Sequence, residues 1–218
     1  MTKLDIEVVS DLICPWCFIG SRRLEQALTR LPDVETTLAY HPFLLDPSVP
    51  PEGVDLRERL RRKYGRDPEG MFDRVEAAAR ETGIAIDYAR IERTPSTLPG
   101  HTLLRHAAAR GSQAALARAL FEAYFLHGMN LGDLEVLAEI AAPHGFSVDE
   151  VRSIGGDANE LARTRKEADT WAREGVTGVP FTILGRRFAV SGAQPVDVFV
   201  AAIEKARAAT VTAPTATT

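Results

Sequence analysis

Two cysteines, separated by one proline and one tryptophan, are the residues of this chain best suited to chemistry. Cys14, Pro15, Trp16 and Cys17 follow one another, and the chain has 2 cysteines in all. Two thiols at this spacing can form a disulfide and reopen it by exchange with another thiol or disulfide. The spacing therefore predicts a thiol–disulfide redox pair.

The position of the pair predicts different roles for the two sulfurs. Residues 3–10 alternate as in a strand, and a helical period then runs from Pro15 to Leu31. Cys14 thus lies where a helix opens, and free N–H groups and the helix dipole there stabilise a thiolate. At about 100° per residue, three leucines fall within roughly 40° of Cys17, on the buried side: Leu24, Leu28 and Leu31. We therefore expect Cys14 to be the exposed nucleophile and Cys17 to resolve the mixed disulfide from within.

A proline far along the chain supports this interpretation. Val179 and Pro180 open a second strand-like segment, directly after the small residues Thr177 and Gly178. A proline at the start of a strand can hold a cis peptide bond, which here would face the opening of the helix. We therefore predict that Pro180 lies beside the cysteines and that the backbone of Val179 binds an extended substrate.

Two other roles for the cysteine pair fit the sequence less well. A zinc site needs further ligands, but there is no third cysteine, and His101 and His106 are the one histidine pair with suitable spacing. A structural pair of thiols would not require Pro15 and Trp16 between them. We expect no metal, and no cofactor other than the redox-active disulfide itself.

The composition is that of a globular protein. Of its 218 residues 45% are hydrophobic and 26% charged, and the formal net charge is −4. Such a chain has no strong positive field to attract nucleic acid or an anionic membrane, so neither is an expected partner. A basic cluster in a predicted helix is interpreted as a solvated face: Arg59, Arg61, Arg62 and Lys63.

The sequence predicts a cytoplasmic protein. Its first ten residues lack the apolar stretch of a signal peptide, and no apolar run reaches transmembrane length. In a reducing compartment, a cysteine pair is more often catalytic than structural.

Hydrophobic periodicity predicts the elements that position the cysteines. A strand at 3–10, a helix at 15–31 and a strand at 34–44 open the chain as a β-α-β unit. Two strands at 180–184 and 187–191 and a helix from 195 to about 208 close it. Between them, helices are predicted over 55–64, 68–82, 98–110, 112–127, 133–143, 147–154 and 157–174.

The changes of period predict the domain organisation. One discontinuous domain comprises residues 1–48 and 175–209, and a helical domain over 49–174 interrupts it. The tail over 210–218 contains little that could pack, which predicts disorder.

Four segments together resemble the DsbA family of thioredoxin-fold oxidoreductases, and within it the FrnE-like branch. They are SDLICPWCFIG at 10–20, YHPFLLDP at 40–47, ALFEAYFLHGMNLGDLEVLAEIA at 119–141 and GVTGVPFTILGRRFAVSGAQP at 175–195. The resemblance implies an α/β, thioredoxin-like fold with a large all-helical insertion. It also implies a nucleophilic Cys14, a resolving Cys17 and a cis-proline at Pro180, with Trp16 lining the active site and Val179 offering backbone hydrogen bonds to substrate.

One segment departs from the pattern of that branch. Residues 96–102 read STLPGHT, which alters the start of a helix. His101 within it either faces the active site from the insertion or serves as a capping or core residue, and the second role is the commoner one for such a histidine.

The resemblance leaves three functions to compare. Thiol–disulfide exchange with protein or peptide substrates, with glutathione as a candidate reductant, is the function that two cysteines favour. A glutathione-dependent transferase or isomerase of the kappa-class or 2-hydroxychromene-2-carboxylate isomerase type is the second, and those proteins typically carry serine where Cys14 stands. A peptide-holding chaperone is the third. The direction of exchange and the oligomeric state stay open.

Overall fold

A mixed four-stranded sheet forms the base of the molecule in the computed structural model, which describes residues 3–211. Its strands, numbered in chain order, are β1 (Leu4–Ser10), β2 (Thr36–Pro42), β5 (Phe181–Leu184) and β6 (Phe188–Ser191). Their order across the sheet is β2-β1-β5-β6. β1 runs parallel to β2 and antiparallel to β5, which pairs antiparallel with β6. The sheet therefore joins the two ends of the chain.

Two helices connect directly with this sheet. Helix α1 (Pro15–Thr29) links β1 to β2, and helix α9 (Val196–Val211) follows β6. The two helices contact each other, and α9 also contacts β1, β5 and β6. This confirms the predicted β-α-β opening and the β-β-α close, although α9 continues past the predicted end at 208. Residues 212–218 of the predicted disordered tail lie outside the described residues.

The segment between β2 and β5 is mainly helical, as predicted. Its longer helices are α2 (Leu56–Tyr64), α3 (Glu69–Arg80), α4 (Leu98–Ala109), α5 (Gln113–His127), α6 (Leu134–Ala141), α7 (Val148–Gly156) and α8 (Ala158–Arg173). The expectation of an all-helical insertion is wrong in one detail. β3 (Val54–Asp55) and β4 (Arg93–Thr94) pair antiparallel in a separate two-stranded sheet. Strands of two residues are too short to show an alternating pattern in the sequence.

Aromatic packing joins the helical segment to the helix that carries the cysteines. The ring of Phe18 in α1 stacks on Phe121 and Phe125 of α5, with ring centroids 5.5 and 5.8 Å apart. All three side chains are buried within one apolar cluster that also includes residues of β1. Helices α4, α5 and α8 contact β2 as well. Because this core is continuous, the domain boundaries near residues 48 and 175 stay a prediction.

The end of α5 brings two backbone segments unusually close. Gly128 caps this helix in the left-handed conformation, with φ of 66°. A Cβ atom at this position would overlap the carbonyl oxygen of Arg90. Glycine is therefore required here for both its backbone angle and its lack of a side chain. Tyr88, two residues before Arg90, is buried in the core that this contact supports.

Candidate active site

The loop between β1 and α1 places Cys14 at the first turn of the helix. The N–H of Cys14 donates to the carbonyl of Asp11 at 3.0 Å, which closes the loop. The carbonyl of Cys14 accepts from the N–H groups of Cys17 and Phe18 at 3.0 and 3.3 Å. Pro15 is the first residue of α1, where its missing N–H costs no helical hydrogen bond. The cysteine pair thus spans the N-terminal turn, as predicted.

Cys17 is fully enclosed by the protein. Its exposed fraction is 0%, and both cysteines are free thiols in this structure. Burial raises the pKa of the Cys17 thiol well above its usual value, and the hydrogen bond and charge of the neighbouring Cys14 raise it further. The Cys17 thiol is therefore protonated near neutral pH.

Cys14 is less exposed than the sequence predicts. Only 4% of Cys14 is accessible, so the expectation that it is exposed at the start of the helix is wrong. Side chains and backbone from distant parts of the chain cover the helix start, and Gly178 and Val179 are among them. The Cys14 thiol donates to the carbonyl of Val179, with Sγ and the oxygen 3.7 Å apart. Its access to other molecules is through a groove.

Pro180 lies against α1 at Gly20. The Val179–Pro180 peptide bond is cis. The Cγ atom of Pro180 is 2.9 Å from where a Cβ atom would stand on Gly20, so the glycine lets the ring approach the helix. The structure thus brings the Val179 carbonyl to Cys14 and the Pro180 ring to Gly20 of the same helix.

The groove that reaches Cys14 has a volume of about 440 Å³. Apolar and aromatic side chains from α2, α3 and α5 supply much of its lining, and they include Leu56, Leu60, Phe72, Val75 and Phe125. Pro15 and Trp16 line it beside the cysteine, and 41% of Trp16 is exposed. This volume falls within the range of ordinary ligand sites. The Cys14 thiol therefore lies on a groove whose walls combine apolar and aromatic side chains.

Comparison with known proteins identifies the family. The model of the DSBA-like thioredoxin domain matches residues 5–204. This chain belongs to that family. Among solved structures, it is 33% identical to SCO1869 from Streptomyces coelicolor, a probable DsbA oxidoreductase, with a TM-score of 0.83 over 94% of this chain and 90% of that one.

Two more distant structures share the DSBA-like fold. Cytosolic disulfide reductase DsbM from Pseudomonas aeruginosa, solved with GSH, is 19% identical, with a TM-score of 0.60 over 95% of this chain and 98% of that one. A 2-hydroxychromene-2-carboxylate isomerase is 15% identical, with a TM-score of 0.71 over 96% of this chain and 100% of that one. One architecture therefore occurs in proteins with different chemistry.

A buried carboxylate near the cysteine pair, that of Asp11, is missing from the sequence-based prediction, and so is its pairing with His101. Asp11 and His101 are 0% and 2% exposed. The Asp11 carboxylate accepts from the N–H of Leu45 at 2.8 Å, and its other oxygen is 3.4 Å from Nε2 of His101. Of the two roles left open for His101, the structure shows the core role: the side chain is buried, pairs with Asp11 and does not line the groove that reaches Cys14. A charged Asp11 within the apolar run around Cys14 is the signal that could have indicated a buried polar pair.

Replacing Asp11 by alanine should destabilise the protein by about 3 kcal/mol, because it leaves the buried His101 ring and the partly buried Leu45 N–H without their acceptor. Urea unfolding followed by circular dichroism measures the change. Glu81→Ala is the control, since it removes an exposed carboxylate from an ion pair with Arg23, and its stability should match that of the wild type. Equal stability of both variants would show that the buried pair contributes nothing to folding.

Proposed function

We propose that this member of the DSBA-like family is a thiol–disulfide oxidoreductase that works through Cys14 and Cys17. One observation carries the proposal: a thiol at the N-terminal turn of α1 ends an open groove, and a second, fully buried thiol lies directly behind it. This arrangement gives one sulfur access to substrate and reserves the other for an internal reaction.

The proposed thiol–disulfide exchange takes place in two successive nucleophilic displacements at sulfur. In the reducing direction, the Cys14 thiolate attacks one sulfur of a substrate disulfide, and the other substrate sulfur leaves and takes up a proton. Cys17 then gives up its proton and attacks the sulfur of Cys14, which releases the first substrate sulfur as a thiol. The substrate has gained two electrons, and Cys14 and Cys17 have formed a disulfide. The same steps in reverse oxidise a dithiol.

The residues around the pair have supporting roles in this proposal. Pro15 fixes the first turn of α1, and Trp16 offers an exposed aromatic surface to substrate. The backbone of Val179, next to Pro180, binds an extended substrate chain alongside Cys14. Three of these residues, Pro15, Trp16 and Val179, line the groove with Cys14, and Pro180 packs on Gly20 of α1, which supports the proposed roles.

Glutathione is the proposed reductant that returns the disulfide to two thiols. The structural likeness to a disulfide reductase solved with GSH supports this. We also propose a cytoplasmic location, which is that of the same reductase. Within residues 3–211, no helix has the length and apolar character needed to cross a bilayer.

Catalysed reduction of insulin tests the proposal. The purified protein should accelerate insulin reduction by dithiothreitol, and equilibration with glutathione buffers should convert Cys14 and Cys17 between two thiols and one disulfide. Mass spectrometry after alkylation measures that ratio and gives the redox potential. A protein that neither forms the internal disulfide nor accelerates exchange would disprove the proposed reaction.

A further inference from the structure

Four cationic side chains line the groove that leads to Cys14. They are Arg59 and Lys63 of α2, Arg66 in the following loop, and Arg74 of α3. Within the described part of the chain, no aspartate or glutamate belongs to the lining of this groove. The whole chain carries a net charge of −4, so a cationic groove is a local feature. The cationic lining of the groove favours a negatively charged ligand.

Three of these cations are not neutralised by the protein itself. Arg59 is buried and pairs with Asp46 at 2.8 Å. Lys63, Arg66 and Arg74 are exposed and form no ion pair with any residue in 3–211. Their neighbours differ, because Arg57 pairs with Glu69 and Arg61 pairs with Asp67. The interpretation of the basic cluster as a solvated face therefore holds for the exposed Arg61, Arg62 and Lys63, although Lys63 also lines the groove, and is wrong for the buried Arg59.

The same groove also offers apolar contacts, which extend from its interior to its edge. Phe72 and Tyr88 stack inside it with ring centroids 4.0 Å apart, and both are buried. Two aromatic residues on its outer part are exposed, Trp16 at 41% and Tyr64 at 50%. Exposed aromatic side chains beside arginine are typical of surfaces that bind another polypeptide. A small, highly polar thiol would leave most of this apolar surface unused.

We infer that the groove binds peptide segments in which a disulfide is flanked by apolar and acidic residues. The inference rests on the proposed redox function and names its substrate class. The apolar side chains of the segment pack on Phe72 and Trp16, and its carboxylates face Lys63, Arg66 and Arg74. Attraction between the unpaired cations and the acidic segment speeds association and holds the substrate disulfide near Cys14.

Two model peptides with the same disulfide test this preference. In one the disulfide is flanked by leucine and glutamate, in the other by leucine and lysine. At low ionic strength, kcat/KM for reduction should be about tenfold higher for the acidic peptide. The difference should largely disappear at about 0.5 M salt, because exposed charges are then screened. An equal rate for both peptides at low salt would overturn the inference.

Variants with reversed charges test whether the preference for the acidic peptide arises from the groove. Arg66→Glu combined with Arg74→Glu should abolish the preference for the acidic peptide. Arg62→Glu combined with Lys166→Glu is the charge-matched control, since both residues are exposed and neither lines the groove. This control variant should keep the preference intact. Equal loss in the control variant and the Arg66→Glu/Arg74→Glu variant would mean that general surface charge, and not the groove, selects the substrate.

Two further substrates separate the possible failures. Hydroxyethyl disulfide is neutral, so its reduction reports the redox chemistry alone; no reaction with it would mean that the proposed function fails. Glutathione disulfide reports a site for small anions. The peptide inference is wrong if two results are found together. The Arg66→Glu/Arg74→Glu variant reduces glutathione disulfide and the acidic peptide more slowly by the same factor, and replacing the leucines of the peptide by serine leaves its rate of reduction unchanged. The groove would then be a site for small molecules.

Discussion

Replacing Cys14 by serine should reduce disulfide exchange at least about 1,000-fold, to the uncatalysed rate, because a serine hydroxyl stays protonated and forms no bond to substrate sulfur. Cys17→Ser should behave differently. Cys14 can still attack, but the resulting mixed disulfide has no internal thiol to release it. Stable complexes between the variant and its substrate should therefore accumulate.

The two serine variants are controls for each other, since each removes one sulfur from the same turn of α1. Insulin reduction measures the loss of exchange, and non-reducing electrophoresis measures the trapped complexes. Circular dichroism establishes that both variants fold. Complexes trapped by Cys14→Ser and absent from Cys17→Ser would reverse the roles assigned to the two cysteines.

Gly128→Ala should destabilise the protein by about 3 kcal/mol or more. The left-handed conformation costs a non-glycine residue about 1 kcal/mol, and the added methyl group also overlaps the backbone oxygen of Arg90. A backbone atom cannot move aside as the end of a flexible side chain can. α5 and the turn that carries Tyr88 must therefore separate, which disturbs the wall of the groove.

Gly111→Ala is the control for this substitution. Gly111 has a similar φ of 71°, against 66° for Gly128, but no atom lies within 4 Å of its would-be Cβ. Its loss of stability should therefore be about 1 kcal/mol, the cost of the backbone angle alone. Urea unfolding of both variants measures the difference. Equal losses would show that the contact with Arg90 adapts at no cost.

The fold could be predicted because short stretches of sequence indicate where its strands and helices begin and end. β1 alternates in hydrophobicity, α1 opens with Pro15, and glycines such as Gly65 and Gly128 end the helices in left-handed conformations. These signals depend on neighbouring residues only. For the same reason they identify the cysteine pair, whose two sulfurs lie in one helical turn.

The features that escaped prediction depend on residues far apart in the sequence. Helical periodicity shows which side of α1 faces its own sheet, but Cys14 is covered by Val179 and by the helical segment. Asp11 and His101 meet across 90 positions. Likewise, Lys63 and Arg74 line one groove from two different helices, which the sequence around either residue does not show.

The stacking of Phe18 on two rings of α5 limits how this protein can be re-engineered. Phe18 directly follows Cys17, and Phe125 contacts it while also lining the groove that reaches Cys14. A chimera that exchanges the helical segment with that of a relative must therefore transfer Phe18, Phe121 and Phe125 as a set. If only the segment is replaced, the orientation of the helix bearing the cysteines changes together with the substrate preference, and the two cannot be tuned separately.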